Sequence, residues 1–417
     1  MNRRHFLKNF TLLSAAASVP RFLMTTLRAA RAGGGLGAGQ DEPLLVVIEL
    51  NGGMDGLSAL VPYSNDLYHQ KRPTLGISAS QVLKIDDDFG FHPGMTGLKD
   101  LFDQGKLSII HGVGYPNPNR SHFRAQDIWY TAQPDQIVFD GWLGKYLETL
   151  PTGGLRGVSV GGGVSKSLLT ADGASPAIRS IERFKLDADP RSAFDAVNLN
   201  GAFGQLQSLP RDGAPLLEFA ARAALDATSS SVDLLEGQQN YNSTIVYPFT
   251  GLGQNLRTAA RVMAADLGVR VFYAVLPGFD THANQIRSDN NLAGRHAALL
   301  EEFSQAVKAF HDDLVQMGLW DRTLIVTLSE FGRRLPENGS RGTDHGTANP
   351  MFLMGGGVRP GFFGTVPSLA PEDLDGVGDM VFQIDFRQVY ATVLQDWLKV
   401  DPVPLLGADF PTLEVLV

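Results

Sequence analysis

The apolar positions of this 417-residue chain fall into short continuous runs and longer stretches with helical spacing. Continuous runs of about five to eight apolar residues, rich in β-branched side chains, are typical of strands buried on both faces of a parallel sheet. Such runs predict strands at 44–50, 107–113, 269–276 and 324–328, and a further apolar run covers 351–354. Helical spacing predicts helices at 92–107, 254–267, 292–317 and 385–398, and another helix starting near Ser121. This alternation indicates an α/β fold with a mostly parallel central sheet.

The segment from residue 151 to about residue 241 departs from that pattern. Its apolar periodicity is weaker, and it is rich in Gly, Ser, Asp and Ala. We interpret it as an insertion or cap on the α/β domain, partly helical, with one helix at 216–225. The whole chain has 43% hydrophobic and 19% charged residues, which suits a globular protein with a large core.

The first 32 residues have the features of an export signal. Arg3 and Arg4 are followed by Phe-Leu-Lys, by a modest apolar stretch at 10–20, and by the small-residue cleavage pattern Ala-Arg-Ala at 30–32. We expect a twin-arginine signal peptide over 1–32 and a flexible linker over 33–43, before a domain at 44–417. The alternative is an amphipathic helix with a chance Arg-Arg pair. The apolar stretch is too short for a membrane span, which needs ~20 residues.

A twin-arginine signal implies that the translocase exports the protein already folded, to the periplasm or the medium. Loss of residues 1–32 removes six cations and no acids, which changes the formal net charge from −9 to −15. So acidic a protein is not expected to bind nucleic acid. The chain has no cysteine, and therefore neither a disulfide nor a thiolate ligand or nucleophile.

Candidate chemistry follows four of the predicted strands. Asp55 lies in a Gly-rich turn after the first strand, and Ser121 lies where a helix starts after the second. Asp280 and His282 follow the third strand, and Glu330 follows the fourth, with His345 in the next loop. In open α/β sheets, ligands bind beyond the carboxyl ends of the strands, so these side chains are expected to meet. Each has an ordinary structural alternative: a strand-to-helix turn, a helix cap, or a hydrogen-bonded Asp-His pair.

Carboxylates and imidazoles together suit a divalent metal such as Zn²⁺ or Mn²⁺. A metal at this place would polarise a phosphoryl or sulfuryl oxygen and activate Ser121, or a water, as a nucleophile. The sequence thus predicts a metal site with Ser121 beside it.

Five segments carry a resemblance to a known family: GGMDGL, NRSHFRAQD, GFDTHANQ, SEFGRR and DHGTANP. They resemble DUF1501, an exported bacterial family of unknown function, and more distantly the alkaline-phosphatase superfamily. The resemblance implies a three-layer alkaline-phosphatase-like sandwich. It also implies that Asp280, His282 and His345 form one metal site, and that Glu330 shares a second with Asp55 and Ser121, the nucleophile. One or two metal ions would follow.

The chain departs from the superfamily pattern at two places. Phe331 follows Glu330 where the superfamily usually has an Asp-His pair, so the second site lacks a ligand. No proline stands two residues after Ser121, as sulfatases need for conversion of the nucleophile to formylglycine. His122 is either a ligand or a core histidine. The arginines that follow are candidates for gripping an anionic substrate, or structural ion-pair partners: Arg120, Arg124 and Arg333.

Two functional hypotheses follow. The first is an exported metal-dependent hydrolase of phosphate or related esters, acting on an anionic small molecule or polymer with Ser121 or a metal-bound water as nucleophile. The second is a non-catalytic, metal-stabilised binding or assembly protein that acts on an exported polymer or partner. Phe331 favours the second, whereas Ser121 with three ligands favours the first.

Overall fold

The computed structural model describes residues 42–151, 155–171, 173–181 and 237–417. The strands are β1 (Leu44–Asn51), β2 (Leu60–Val61), β3 (Leu83–Lys84), β4 (Gly90–Phe91), β5 (Leu107–Gly114), β6 (Gly157–Val160), β7 (Leu169–Thr170), β8 (Gly173–Ala174), β9 (Ala177–Ile178), β10 (Val271–Pro277), β11 (Thr323–Leu328), β12 (Asn349–Gly355), β13 (Gly361–Phe363) and β14 (Ile384–Asp385). The helices are α1 (Gly56–Ala59), α2 (Asp66–Lys71), α3 (Thr96–Asp103), α4 (His122–Thr131), α5 (Trp142–Thr149), α6 (Gly251–Ala264), α7 (Arg295–Gln316), α8 (Phe386–Thr392) and α9 (Val403–Leu406). A π-helical segment, Val393–Trp397, continues α8.

Nine strands form the central sheet, in the order β13-β5-β12-β11-β1-β10-β6-β9, and β14 also pairs with β5. Every pairing in it is parallel except those of β12, which runs antiparallel to both β11 and β5. The α/β class and the mostly parallel sheet are confirmed. The antiparallel direction of β12 had no signal in the apolar pattern.

The continuous apolar runs arise because helices cover both faces of this sheet. Along β1, Leu44, Val46 and Ile48 enter one core, while Leu45 and Val47 enter the other. Helices α3, α6 and α7 pack against the first face, and α4, α5 and α8 against the second. The molecule therefore has three layers, with helices on either side of the sheet.

The segment marked by weak periodicity contributes to this sheet, because β6 and β9 lie within it and pair beside β10. The expected insertion is thus partly an edge of the main sheet. The predicted leader (1–32), the linker up to residue 41, and the helix at 216–225 lie outside the described residues.

The predicted strands and the long helix α7 are found close to their expected bounds. The helix expected at 92–107 begins later, at Thr96, because Pro93 and Gly94 follow His92 in a turn in which Met95 N donates to the His92 carbonyl. Among the described helices, none is long and apolar enough to cross a membrane.

Because β1, β5, β10 and β11 run parallel, their carboxyl ends lie along one edge of the sheet. The turns with the candidate side chains all start at this edge. The antiparallel β12 begins at the same edge, so the residues just before it, which include His345, join the group. The topology thus brings four distant stretches of sequence together.

Candidate metal centre

Two glycines allow the turn after β1 to pass close beneath the turn after β11. Gly52 and Gly53 have φ values of +118° and +72°, which L side chains rarely adopt. A Cβ on Gly53 would lie 2.4 Å from the Phe331 ring. Gly52 N donates to both carboxylate oxygens of Glu330, at 3.0 and 3.1 Å. The close approach therefore needs glycine and holds the turn after β11 in place.

Three histidines surround one carboxylate oxygen at this edge. Asp280 Oδ1 lies 3.5 Å from His122 Nε2, 3.2 Å from His282 Nε2 and 3.3 Å from His345 Nε2. The ligating atoms of His122, Asp280 and His345 all lie within 4.8 Å of one another. Asp280 and His282 come from the turn after β10, His345 precedes β12, and His122 opens α4.

The other ring nitrogen of each histidine meets an acceptor. His122 Nδ1 lies 2.8 Å from Glu330 Oε1, and His282 Nδ1 lies 3.1 Å from Asp344 Oδ1. His345 Nδ1 lies 2.7 Å from the carbonyl oxygen of Arg120, which can only accept. These acceptors place the proton on Nδ1, as the partners of metal-bound histidines usually do, and leave the Nε2 lone pairs facing inward.

The inward nitrogens fit a cation. His282 Nε2 and His345 Nε2 lie 2.9 Å apart, and two lone pairs at that distance repel unless a cation lies near them. His122 Nε2 is buried and has no hydrogen-bond partner among the described residues. Four ligands at about 2.0–2.1 Å in a tetrahedron are separated by about 3.3 Å, close to the separations from Asp280 Oδ1. The residues present therefore fit a small divalent ion.

The charge of Asp280 is maintained by its surroundings. Burial would raise its pKa, but the hydrogen bond from Arg333, at 2.9 Å, and the contact with the His345 imidazole lower the pKa to about 2. The hydrogen bond to Glu330 raises the pKa of His122, whereas burial lowers the pKa of His345. Hydrogen bonds from Asn338 and His282 lower the pKa of Asp344.

The structure places the two carboxylates expected at a second site outside this group. Asp55 is fully buried and accepts hydrogen bonds from Arg72, at 2.6 and 2.9 Å, and from Gln285, at 2.6 Å. Burial would raise the pKa of Asp55, but the ion pair with Arg72 overrides that effect and holds it well below its usual range. Glu330 accepts hydrogen bonds from Gly52 N and contacts His122 Nδ1. Among the described residues, no metal-binding group contains Asp55 or Glu330.

Phe331, which directly follows Glu330, packs against the centre. Its ring centroid is 4.9 Å from that of His122 and 4.5 Å from that of His345, and the side chain is buried. It forms an apolar wall that supports two of the histidine rings.

Ser121 is held beside the centre by both of its neighbours. The carbonyl of Arg120 accepts from His345, and His122 belongs to the centre itself. Ser121 occupies the N-cap position of α4, but its side chain makes no capping hydrogen bond, and the residue is exposed. Ser121 thus lies at the N-cap position of α4, but its hydroxyl does not cap the helix.

The three arginines expected to grip an anion are engaged within the protein. Arg120 pairs with Asp375 and Asp379, and Arg124 pairs with Asp127. Arg333 is buried and donates to Asp280 and to four carbonyls, from Gly52, Gly53, Phe279 and Thr343. As a buried residue Arg333 cannot reach a substrate, so its place is structural.

The sequence did not decide whether His122 is a ligand or a core histidine, and it gave no indication of the groups that support the centre. Asp344 was visible beside His345, but nothing in the pattern marked it as the partner of His282. Gln126 Nε2 donates to Glu330 Oε1 at 3.3 Å from one turn after His122 on α4. The only sequence signal for this contact was that Gln126 lies four residues after His122, which places both side chains on the same face of a helix.

Comparison with solved structures gives distant matches. A protein in the alkaline phosphatase superfamily from Vibrio parahaemolyticus matches with a TM-score of 0.42 and 11% identity, over 98% of this chain and 78% of that chain. The lipoteichoic acid synthase LtaP from Listeria monocytogenes matches with a TM-score of 0.35 and 11% identity, over 85% of this chain and 73% of that chain. The sulfatase PsFucS1 from Pseudoalteromonas sp. matches with a TM-score of 0.35 and 12% identity, over 94% and 74%. Similarity at this level does not identify a substrate.

A search of curated protein sequences found no relative. The model of the family described as "Protein of unknown function (DUF1501)" matches residues 42–405, which include every residue of the candidate centre. This agrees with the motif resemblance, and the chain therefore belongs to the DUF1501 family.

Proposed function

We propose that this protein is an exported metal-dependent hydrolase of phosphate or related esters. The observation that carries the proposal is the convergence of three Nε2 atoms on Asp280 Oδ1, each on a ring whose Nδ1 meets an acceptor. His122, Asp280 and His345 would hold one divalent ion, Zn²⁺ or Mn²⁺, and His282 would complete the set. The bound ion would supply Lewis-acid stabilisation of the charge that develops on the ester.

Ser121 is the proposed nucleophile. Its exposed hydroxyl lies at the N-terminus of α4, where developing negative charge is favoured, and it makes no capping hydrogen bond. The Ser121 oxygen would bond to phosphorus while the bond from phosphorus to the leaving alcohol oxygen breaks, and the serine proton would pass to that oxygen. Water would then release phosphate from the serine. Support for export comes from the twin-arginine pattern at the N-terminus.

A second candidate, a metal-stabilised binding protein, has its own support. The arginines expected at the substrate are engaged elsewhere, and four side chains could fill a tetrahedral metal site completely. Such a site would stabilise the protein without turning over a substrate.

Metal content tests the centre first. Elemental mass spectrometry on the natively exported protein should find about one divalent ion per chain, as expected for one complete ligand set. The double variant Asp280→Ala/His282→Ala should lose that ion. A folded protein that never contains a stoichiometric metal would refute both candidates.

Ser121→Ala then separates the two candidates. For the hydrolase, turnover of phosphate esters should fall by roughly 10³-fold or more, with metal content and melting temperature unchanged. Ser80→Ala, at an exposed position in the loop before β3, is the matched control and should keep its metal and most of its activity. If the wild-type protein contains metal but hydrolyses no phosphate or sulfate ester, the binding protein is the better description.

A further inference from the structure

A cleft with both apolar and polar lining opens beside the metal centre at the same edge of the sheet. It has a volume of about 740 Å³ and lies at the carboxyl ends of β1, β6 and β10, under the start of α6. Its polar lining consists of Glu49, Tyr130, Ser165, Lys166, Asn255 and Glu302, together with buried Tyr273. The size is in the range of small-molecule sites, and the lining combines apolar side chains with these few polar groups, as such sites usually do.

Two elements connect the cleft to the centre. His122, Gln126 and Tyr130 are four residues apart along α4 and therefore share one face of that helix. His122 faces Asp280, Gln126 donates to Glu330, and Tyr130 lines the cleft. At 1.5 Å per residue, Tyr130 lies about 12 Å along the helix axis from His122. On the sheet side, Pro277 lines the cleft three residues before Asp280.

The described residues of the cleft offer hydrogen-bonding groups but no unpaired positive charge. Tyr130 and Tyr273 each donate to Glu49 at 2.7 Å, so towards a ligand their hydroxyls act as acceptors. Lys166 pairs with Asp127. Among the described residues the Asn255 side chain has no hydrogen-bond partner, and it packs beside Gly161, where the glycine loop after β6 begins.

We propose that this cleft binds a neutral polyhydroxylated group, such as a sugar or glycerol unit, as the alcohol part of the ester. An anionic group would meet Glu49 and Glu302 without an available cation. A hydroxylated group carries donors and acceptors together, which match the tyrosine oxygens and the Asn255 amide. This inference rests on the proposed hydrolase function and specifies its substrate class.

Glucose 6-phosphate and phenyl phosphate test the inference, because both are phosphate monoesters and only one has a hydroxylated alcohol part. The wild-type protein should bind glucose 6-phosphate about tenfold more tightly in calorimetry and turn it over with a correspondingly lower KM. Asn255→Ala should weaken the binding of glucose 6-phosphate by roughly threefold to tenfold and leave the binding of phenyl phosphate unchanged. Asn242→Ala, an exposed asparagine outside the cleft, should change neither, and Tyr130→Phe provides a second cleft variant.

The outcomes separate this inference from the proposed function. Binding of glucose 6-phosphate that depends on Asn255, without hydrolysis of either ester, would support the cleft and refute the hydrolase. Hydrolysis of phenyl phosphate at least as efficient as that of glucose 6-phosphate, with no effect of Asn255→Ala, would overturn the cleft and leave the hydrolase standing. Equal binding of both esters by all variants would also refute the proposal that the cleft binds a hydroxylated group.

Discussion

Two aspartates that looked alike in the sequence have opposite environments. Asp280 is about half exposed, with a side-chain exposure of 48%, and its Oδ1 faces three histidine nitrogens. Asp55 has no exposure, and Arg72 and Gln285 take its hydrogen-bonding capacity. Arg72 bonds both oxygens of Asp55 and leaves neither for a cation, whereas Arg333 bonds only one oxygen of Asp280. Position after a strand is therefore not enough to make an aspartate a ligand.

Asp55→Asn should destabilise the protein without loss of metal. The substitution leaves the Arg72 charge buried without its counter-ion, which costs about 3–5 kcal/mol in free energy of unfolding. Urea unfolding followed by circular dichroism measures that loss, and elemental analysis measures the metal. The matched variant Asp280→Asn should show the reverse: most of the metal lost and a smaller change in the metal-free protein.

The same aspartate implies a pH dependence of stability. The pKa of Asp55 is lower in the folded protein than in the unfolded chain, so its contribution is present above about pH 4 and is lost as the pH falls towards the folded pKa. Asp55→Asn should therefore lose less stability than wild type between about pH 4 and pH 2. If the free energy of unfolding falls equally with pH in the two proteins, the ion pair with Arg72 is not the cause.

At the scale of elements, the centre depends on turns more than on strands or helices. The strands end at one edge, but the side chains meet because Gly52 and Gly53 let the first turn approach the turn after β11. Phe331 fills the space beside Gly53 and packs on His122 and His345. The glycine-rich turn here allows close packing between the two turns.

Gly53→Ala should therefore disturb the centre from a position that touches no ligand. At φ +72° an alanine is strained, and its methyl group would lie 2.4 Å from the Phe331 ring. We expect a loss of about 1–3 kcal/mol in free energy of unfolding and weaker metal retention. Gly163→Ala is the control, because a Cβ there meets nothing within 4 Å. Unchanged stability and metal content in Gly53→Ala would contradict this account.

At the scale of the whole molecule, the metal would join parts of the chain that are far apart in sequence. His122, Asp280 and His345 belong to three separate turns of one sheet edge. An ion bound only by the folded protein stabilises it according to its concentration relative to the dissociation constant. A bound ion would thus hold together turns that connect the central sheet with its helical layers.

Removal of the metal by a chelator should lower the melting temperature by roughly 4–5 °C, because saturating metal contributes about 3–4 kcal/mol. Differential scanning calorimetry with and without chelator measures the shift, and readdition of Zn²⁺ or Mn²⁺ should reverse it. Asp280→Ala should melt at the same temperature with and without chelator. A wild-type melting temperature that ignores chelator would argue against a structural contribution of the ion.

The local pattern of the sequence was enough to determine the α/β class, the main strands and the set of turns that carry polar chemistry. Those properties depend on periodicity over a few neighbouring residues, which burial on both faces of a sheet imposes directly. Only the tertiary structure decided which polar side chains meet. It brought His122 to Asp280, turned Glu330 into a hydrogen-bond partner of His122, and paired Asp55 with Arg72. Such pairings depend on distances across the chain, and nothing in the spacing along a strand or helix encodes them.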